Sequence, residues 1–243
     1  MSAPLIPATW QLPEYFRGRL GSTAGKQRVM SHEGHLLIVA HQAPSAEEST
    51  RRGVLFWFDT RAWHASNGEP GKVAMLQLID GYVKRIEEFD QQEEQAQRAK
   101  EYLPLLDGLS PLMRAARNLH DVLQEARTAA PELRELIDLR DRAYDLSRTA
   151  ELLYQDAKNS MDVAVVRRAE EQADASHKMG VATYRLNTMA AMFFPLATLG
   201  AVLGTTLTEN WSWSKTSAPF LLFVLVGLLA GPMLALFVNR ERK

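Results

Sequence analysis

Side chains able to do chemistry are few in this 243-residue chain, and their spacing does not suit catalysis. His32 and His35 flank Glu33-Gly34 at a spacing that binds metal in other settings, but the chain has no cysteine to complete a thiolate and imidazole set. The four residues read as a hairpin tip. His120 and His177 are isolated among charges and read as solvent-facing. Asp138, Asp141 and Asp145 are interleaved with Arg140, Arg142 and Arg148, the pattern of a solvated helix face with intrahelical ion pairs. Glu87, Glu88, Glu93, Glu94 and Glu101 form another charged face, which as a ring would concentrate cations. No nucleophile and base stand in a recognisable pair, so no enzyme activity is expected. The absence of cysteine excludes a disulfide framework and cysteine-ligated zinc or iron-sulfur sites. A net charge of -1 without a long basic run gives no reason to expect a nucleic acid partner.

The elements that would position these residues change character along the chain. Residues 1–71 form a small N-terminal, β-containing region. Its first part, Met1 to Gly25, is rich in Pro, Gly and Ser and reads as an arm that Trp10, Tyr15 and Phe16 could anchor. Branched and aromatic runs at Gln27–Ser31, His35–His41 and Gly53–Asp59 predict a three-strand meander, too small to bury both faces unaided. Residues 72–130 predict a helical hairpin. Val73, Leu76, Ile79, Val83, Ile86 and Phe89 recur at helical spacing, Pro104, Gly108 and Pro111 end that helix, and a second runs from Leu112 to Arg127.

Pro131 suits the first turn of a new helix, and between Glu132 and Phe194 there is no proline and a single glycine, Gly180. Unbroken, that helix would be about 95 Å long, more than one globular domain requires. Its small apolar residues, among them Ala143, Ala150 and Ala157, lie among charges without a broad stripe, which predicts narrow packing against copies of itself. Residues 131–207 thus read as a stalk continuing into an apolar stretch at about 186–207. A loop at 208–217, a second apolar stretch at 218–238 and the basic tail 239–243 follow. Each stretch approaches the roughly 20 residues that cross a bilayer core. Lys and Arg cluster before the first and after the second, while the loop has only Lys215 against Glu209, with Trp211 and Trp213 at interface positions. The positive-inside rule then puts both ends in the cytoplasm of a multi-pass protein of the cell inner membrane. No signal peptide is read at the start.

Stalk, proline within the first span, short outer loop, second span and basic tail together resemble the CorA family of divalent-cation channels. The resemblance is closest over Leu186 to Leu196 and on to Gly204. It implies a mainly α membrane protein: a CorA-like funnel with a long stalk helix, two C-terminal transmembrane helices and a small N-terminal α/β cytoplasmic domain, assembled as a homopentamer in the bilayer. Where the family has Gly-Met-Asn, this chain has Gly204-Thr205-Thr206. In the family that ring holds a hydrated Mg²⁺, which gives up its waters reluctantly. Thr206 hydroxyls also accept hydrogen bonds from coordinated water, with weaker or altered selectivity.

The resemblance further places Gly180, Thr183, Leu186, Ala190, Phe194, Ala197 and Ala201 toward the pore axis, with Phe194 and Leu186 as hydrophobic constrictions. Their spacing of mostly three or four residues independently makes one helical face, which serves equally as pore wall or as helix contact. The resemblance to the CorA family also aligns Asp138, Asp141 and Asp145 with carboxylates that bind regulatory Mg²⁺ between subunits. Transport of Mg²⁺ or another divalent cation is the activity it implies. A non-conducting receptor or scaffold, sensing a ligand or partner through the cytoplasmic part, and a transporter of Zn²⁺ or another transition metal are the alternatives.

Overall fold

The computed structural model describes residues 6–45, 52–203 and 216–240. The described residues are mainly helical with one small sheet, and the chain divides into two compact units, Met1–Val166 and Arg167–Lys243.

The first unit is built on an antiparallel sheet in the order β1 (Arg28–His32), β2 (His35–His41), β3 (Gly53–Phe58), β4 (Trp63–Ala65). β1 and β2 meet at the pair His32 and His35, leaving Glu33 and Gly34 as a two-residue turn with φ of 48° and 76°. Positive φ at both positions is the turn that matches strand twist, and glycine at the second relieves the strain. The two histidines are occupied by ring stacking, His32 on Tyr15 and His35 on Trp57. The sheet has a fourth strand beyond the three-strand expectation. β4 is three residues long and leaves no periodic signal. It is set by a turn in which the Asp59 carboxylate accepts the N–H groups of Arg61 and Ala62 at 2.9 and 2.7 Å.

Alternation along β2 and β3 sends side chains to two apolar layers. Leu36, Ile38, Ala40, Val54 and Phe56 face the helices, while Leu37, Val39, Leu55 and Trp57 are covered by Trp10, Leu12 and Phe16 from the N-terminal arm. The arm contains a short helix, α1 (Glu14–Arg17), and Arg17 ties it back by donating to the carbonyls of Leu12 and Trp10. Both faces of the sheet are therefore buried within one chain. Buried Gln27 joins the layers, donating to the Ala115 carbonyl and accepting the His41 N–H.

Helix α2 (Gly71–Gln95) buries Ala74, Met75, Ile79, Tyr82, Ile86 and Phe89. Val73, Leu76 and Val83, read from sequence as part of the same stripe, are exposed, because the face that enters the core is the one set by Ile79, Tyr82, Ile86 and Phe89. Helix α3 (Ala99–Ala129) passes through Pro104 and Pro111 rather than ending there. The carbonyls those prolines leave without a donor belong to Lys100 and Asp107, both exposed, so water can serve them. The break lies earlier, at residues 96–98, where Glu101 accepts the N–H groups of Gln97 and Arg98 and pulls its own carboxyl below the usual range. Gly108 lets the hairpin close, since a Cβ there would lie 2.5 Å from the Phe89 ring.

Pro131 sits in a turn before α4 (Glu135–Leu203), a single helix of 69 residues. Its first part corrects the expectation of a helix packed only against copies of itself. Leu136, Leu139, Ala143, Leu146, Ala150, Leu153 and Ala157 alternate at three and four residues and are buried in the core of their own chain. Glu135 accepts from Trp63 Nε1 and pairs with Lys72, each at 3.2 Å. Beyond Ala164 the stripe ends.

In the second unit α4 is accompanied by α5 (Ala218–Arg240). Among the described residues no helix is long and apolar enough to cross a membrane. Both apolar stretches of the sequence run past the described side chains, which stop at Ala201 in the first and thin out after Leu229 in the second.

Candidate functional site

The residues proposed from sequence to line a pore lie on the second half of α4. At about 100° per residue, Thr183, Leu186, Ala190, Phe194, Ala197 and Ala201 share one face, with Gly180 at its margin. All six are exposed; Leu186 keeps 64% and Phe194 68% of its surface. Met192, Leu196 and Gly200 point the other way, toward α5. Pro195, midway along this segment, is buried, and the helix continues through it. The Thr198 hydroxyl donates to the carbonyls of Phe194 and Pro195 at 3.1 and 2.9 Å, a back-bonding that lets a helix absorb a bend.

The contact with α5 is made by glycines that the sequence reading did not single out. A Cβ at Gly227 would lie 2.2 Å from Leu196 Cδ2, and one at Gly231 would lie 3.3 Å from the Met192 Cα and carbonyl oxygen. Gly227-Leu228-Leu229-Ala230-Gly231 is a small-x-x-x-small motif, the signal for close helix approach in an apolar segment. The pair leaves an apolar groove of about 430 Å³ between Phe193, Leu196, Phe223 and Leu228. One side of this stretch of α4 is thus sealed by α5 and the other is left open and apolar.

Gly204, Thr205 and Thr206 lie outside the described residues, as do Trp211 and Trp213. Asp138, Asp141 and Asp145 are exposed on one face of α4 in the first unit. Arg140 donates to Asp141 through Nε at 2.9 Å and also through Nη2, while Arg148 reaches Glu151 rather than Asp145. Among the described residues no three carboxylates or imidazoles come together to hold a metal ion. His120 is not isolated: its ring meets Tyr144 edge-on at 5.5 Å.

No family model and no curated protein match the sequence. Among solved structures, full-length CmaX superposes with a TM-score of 0.56 at 15% identity, covering 96% of this chain and 82% of that one. The chain shares the fold of CmaX. The CorA magnesium transporter from Methanocaldococcus jannaschii superposes at a TM-score of 0.40 and 13% identity, over 88% of this chain and 79% of that one. Of the two, only CmaX aligns well enough to fix an architecture. The resemblance to CmaX extends over the sheet, the helical hairpin and α4 together, since so little of this chain falls outside it.

Proposed function

We propose that the chain is one subunit of a CorA-like homo-oligomeric membrane channel that passes divalent metal cations, with Mg²⁺ the principal ion, through a pore lined by α4. The observation that carries this reading is the face from Thr183 to Ala201. Five of its six residues are apolar, with bulky Leu186 and Phe194 set among alanines, it is exposed along its whole length, and α5 covers the opposite side. An exposed Leu186 and Phe194 on one helix call for either lipid or further copies of that helix. Copies arranged around an axis bury both and close a hydrophobic constriction that gates by dewetting. The pentamer, the inner-membrane location and cytoplasmic ends follow from the CorA resemblance and from the Lys and Arg asymmetry of the sequence. Asp138, Asp141 and Asp145 are assigned to a regulatory Mg²⁺ between neighbouring subunits in the same assembly.

The test is flux of Mg²⁺, Co²⁺, Ni²⁺ and Zn²⁺ into liposomes holding the purified protein. Mg²⁺ entry that falls in Thr206→Val and gains Mg²⁺ preference in Thr206→Asn supports the channel. Preferential Zn²⁺ entry selects the transition-metal transporter. A second reading is a non-conducting receptor, favoured by Gly204-Thr205-Thr206 standing where the CorA family has Gly-Met-Asn. An intact oligomer that passes none of the four ions establishes it.

A further inference from the structure

The first unit contains a polar concavity of about 410 Å³ between the chain leaving β2, Asn67, and the middle of α2. It lies in the size range of small-molecule sites. Gly81 forms part of its wall. A glycine inside a helix costs about 1 kcal/mol relative to alanine, and here the fold has no steric need for one, because nothing lies within 4 Å of an added Cβ. The space it leaves open is the concavity.

Two cations border that space. Arg85 is held in place: Nη1 donates to Glu88 at 2.6 Å and the guanidinium lies 4.5 Å from the centre of the Phe89 ring. Its Nε is shielded from water without an acceptor, and its Nη2 has no partner among the described residues. Lys84, exposed beside it, forms no ion pair among the described residues. With Glu88 offsetting one of the two, the wall keeps a net positive charge and unused donors, which suits an anion with several oxygens. The remaining polar lining is the amides of Gln42, Gln77 and Asn67 with the Ser45 hydroxyl. Amides donate and accept at once, as hydroxyl groups require. No aromatic side chain lines the concavity, so a nucleobase finds no stacking platform there.

We propose that this concavity binds a phosphate ester of a small sugar or polyol, with Lys84 and Arg85 on the phosphate, the amides on the hydroxyls, and Gly81 keeping the space clear. The site belongs to the first unit and does not depend on ion transport. The test is calorimetric titration of the full-length protein in detergent with glucose 6-phosphate and glycerol 3-phosphate, against glucose, inorganic phosphate and AMP. The expected result is saturable binding of a sugar or polyol phosphate with Kd below about 1 mM. Lys84→Gln should weaken it about tenfold, roughly the loss of one charge-assisted contact. Gly81→Leu should abolish it while the thermal midpoint stays at or above that of the parent, since leucine is the better helix former. The proposal is overturned by absence of saturable binding to both phosphate esters, or by affinities unchanged in both variants. It is equally overturned if glucose, inorganic phosphate or AMP binds as tightly as the esters.

Discussion

Leu196 sits directly over the bare backbone of Gly227, so close that the Cβ of any other residue there would fall 2.2 Å from Leu196 Cδ2. Four residues on, Gly231 meets the Met192 backbone in the same way, and the two glycines form one notch for α4. Gly227→Val should therefore force the helices apart, at about 1 to 3 kcal/mol, the usual range for overpacking. Gly200→Ala is the control, because a Cβ there makes ordinary contact with Phe223 at 3.7 Å. Thermal unfolding in detergent checks this: a lowered midpoint for Gly227→Val alone confirms the notch, and equal midpoints refute it.

How far sequence reveals this fold depends on how much chain each feature occupies. α4 was legible because its continuity rests on dozens of residues without a helix breaker, and β2 and β3 because each is a run of branched and aromatic side chains. β4 was not, since three residues carry no period and their placement depends on the Asp59 turn. Pro104 and Pro111 misled because a proline disturbs a helix without always ending it, and here the carbonyls left without a donor face water. The α4 face from Thr183 to Ala201 could be read from three- and four-residue spacing. The Gly227 and Gly231 notch also had its signal in sequence, whereas the concavity at Gly81 had none, being assembled from strand, turn and helix.

Phe194 is the bulkiest exposed side chain on the open face of α4, and it precedes the proline at which the helix can bend. In the proposed channel Phe194→Ala widens and wets the constriction, so Mg²⁺ leak into liposomes should rise. Flux equal to the parent, with the oligomer intact by size-exclusion chromatography, assigns Phe194 to packing between helices instead.

Leu139 belongs to the buried heptad stripe of α4 and shares a small apolar cavity with Leu119, Leu123 and Ile38. Leu139→Ala removes contacts that cannot be remade from three sides, and should destabilise the first unit by about 2 to 5 kcal/mol. Leu152, on the same helix but 41% exposed, should tolerate alanine within about 0.5 kcal/mol. Denaturant midpoints followed by tryptophan fluorescence report the difference. Equal effects at the two positions mean the stripe is not the contact that fixes α4 to its own chain.

Asp59 links the turn before β4 to His64, whose Nε2 lies 2.8 Å from Asp59 Oδ2. Burial on its own raises this carboxyl, but the Ala62 N–H, the His64 ring and the Arg61 N–H outweigh it and bring the pKa from 3.8 to about 2. Because the folded state prefers the ionised form, the stabilisation is complete above the unfolded value and disappears as pH falls through the folded one. Asp59→Asn should therefore be less stable than the parent at pH 6, with the gap closing between about pH 4 and pH 2. Carboxyl carbon NMR of the folded protein gives the direct reading. Titration of Asp59 near 3.8, or a stability gap that persists unchanged at pH 2, would mean that the turn does not depend on its charge.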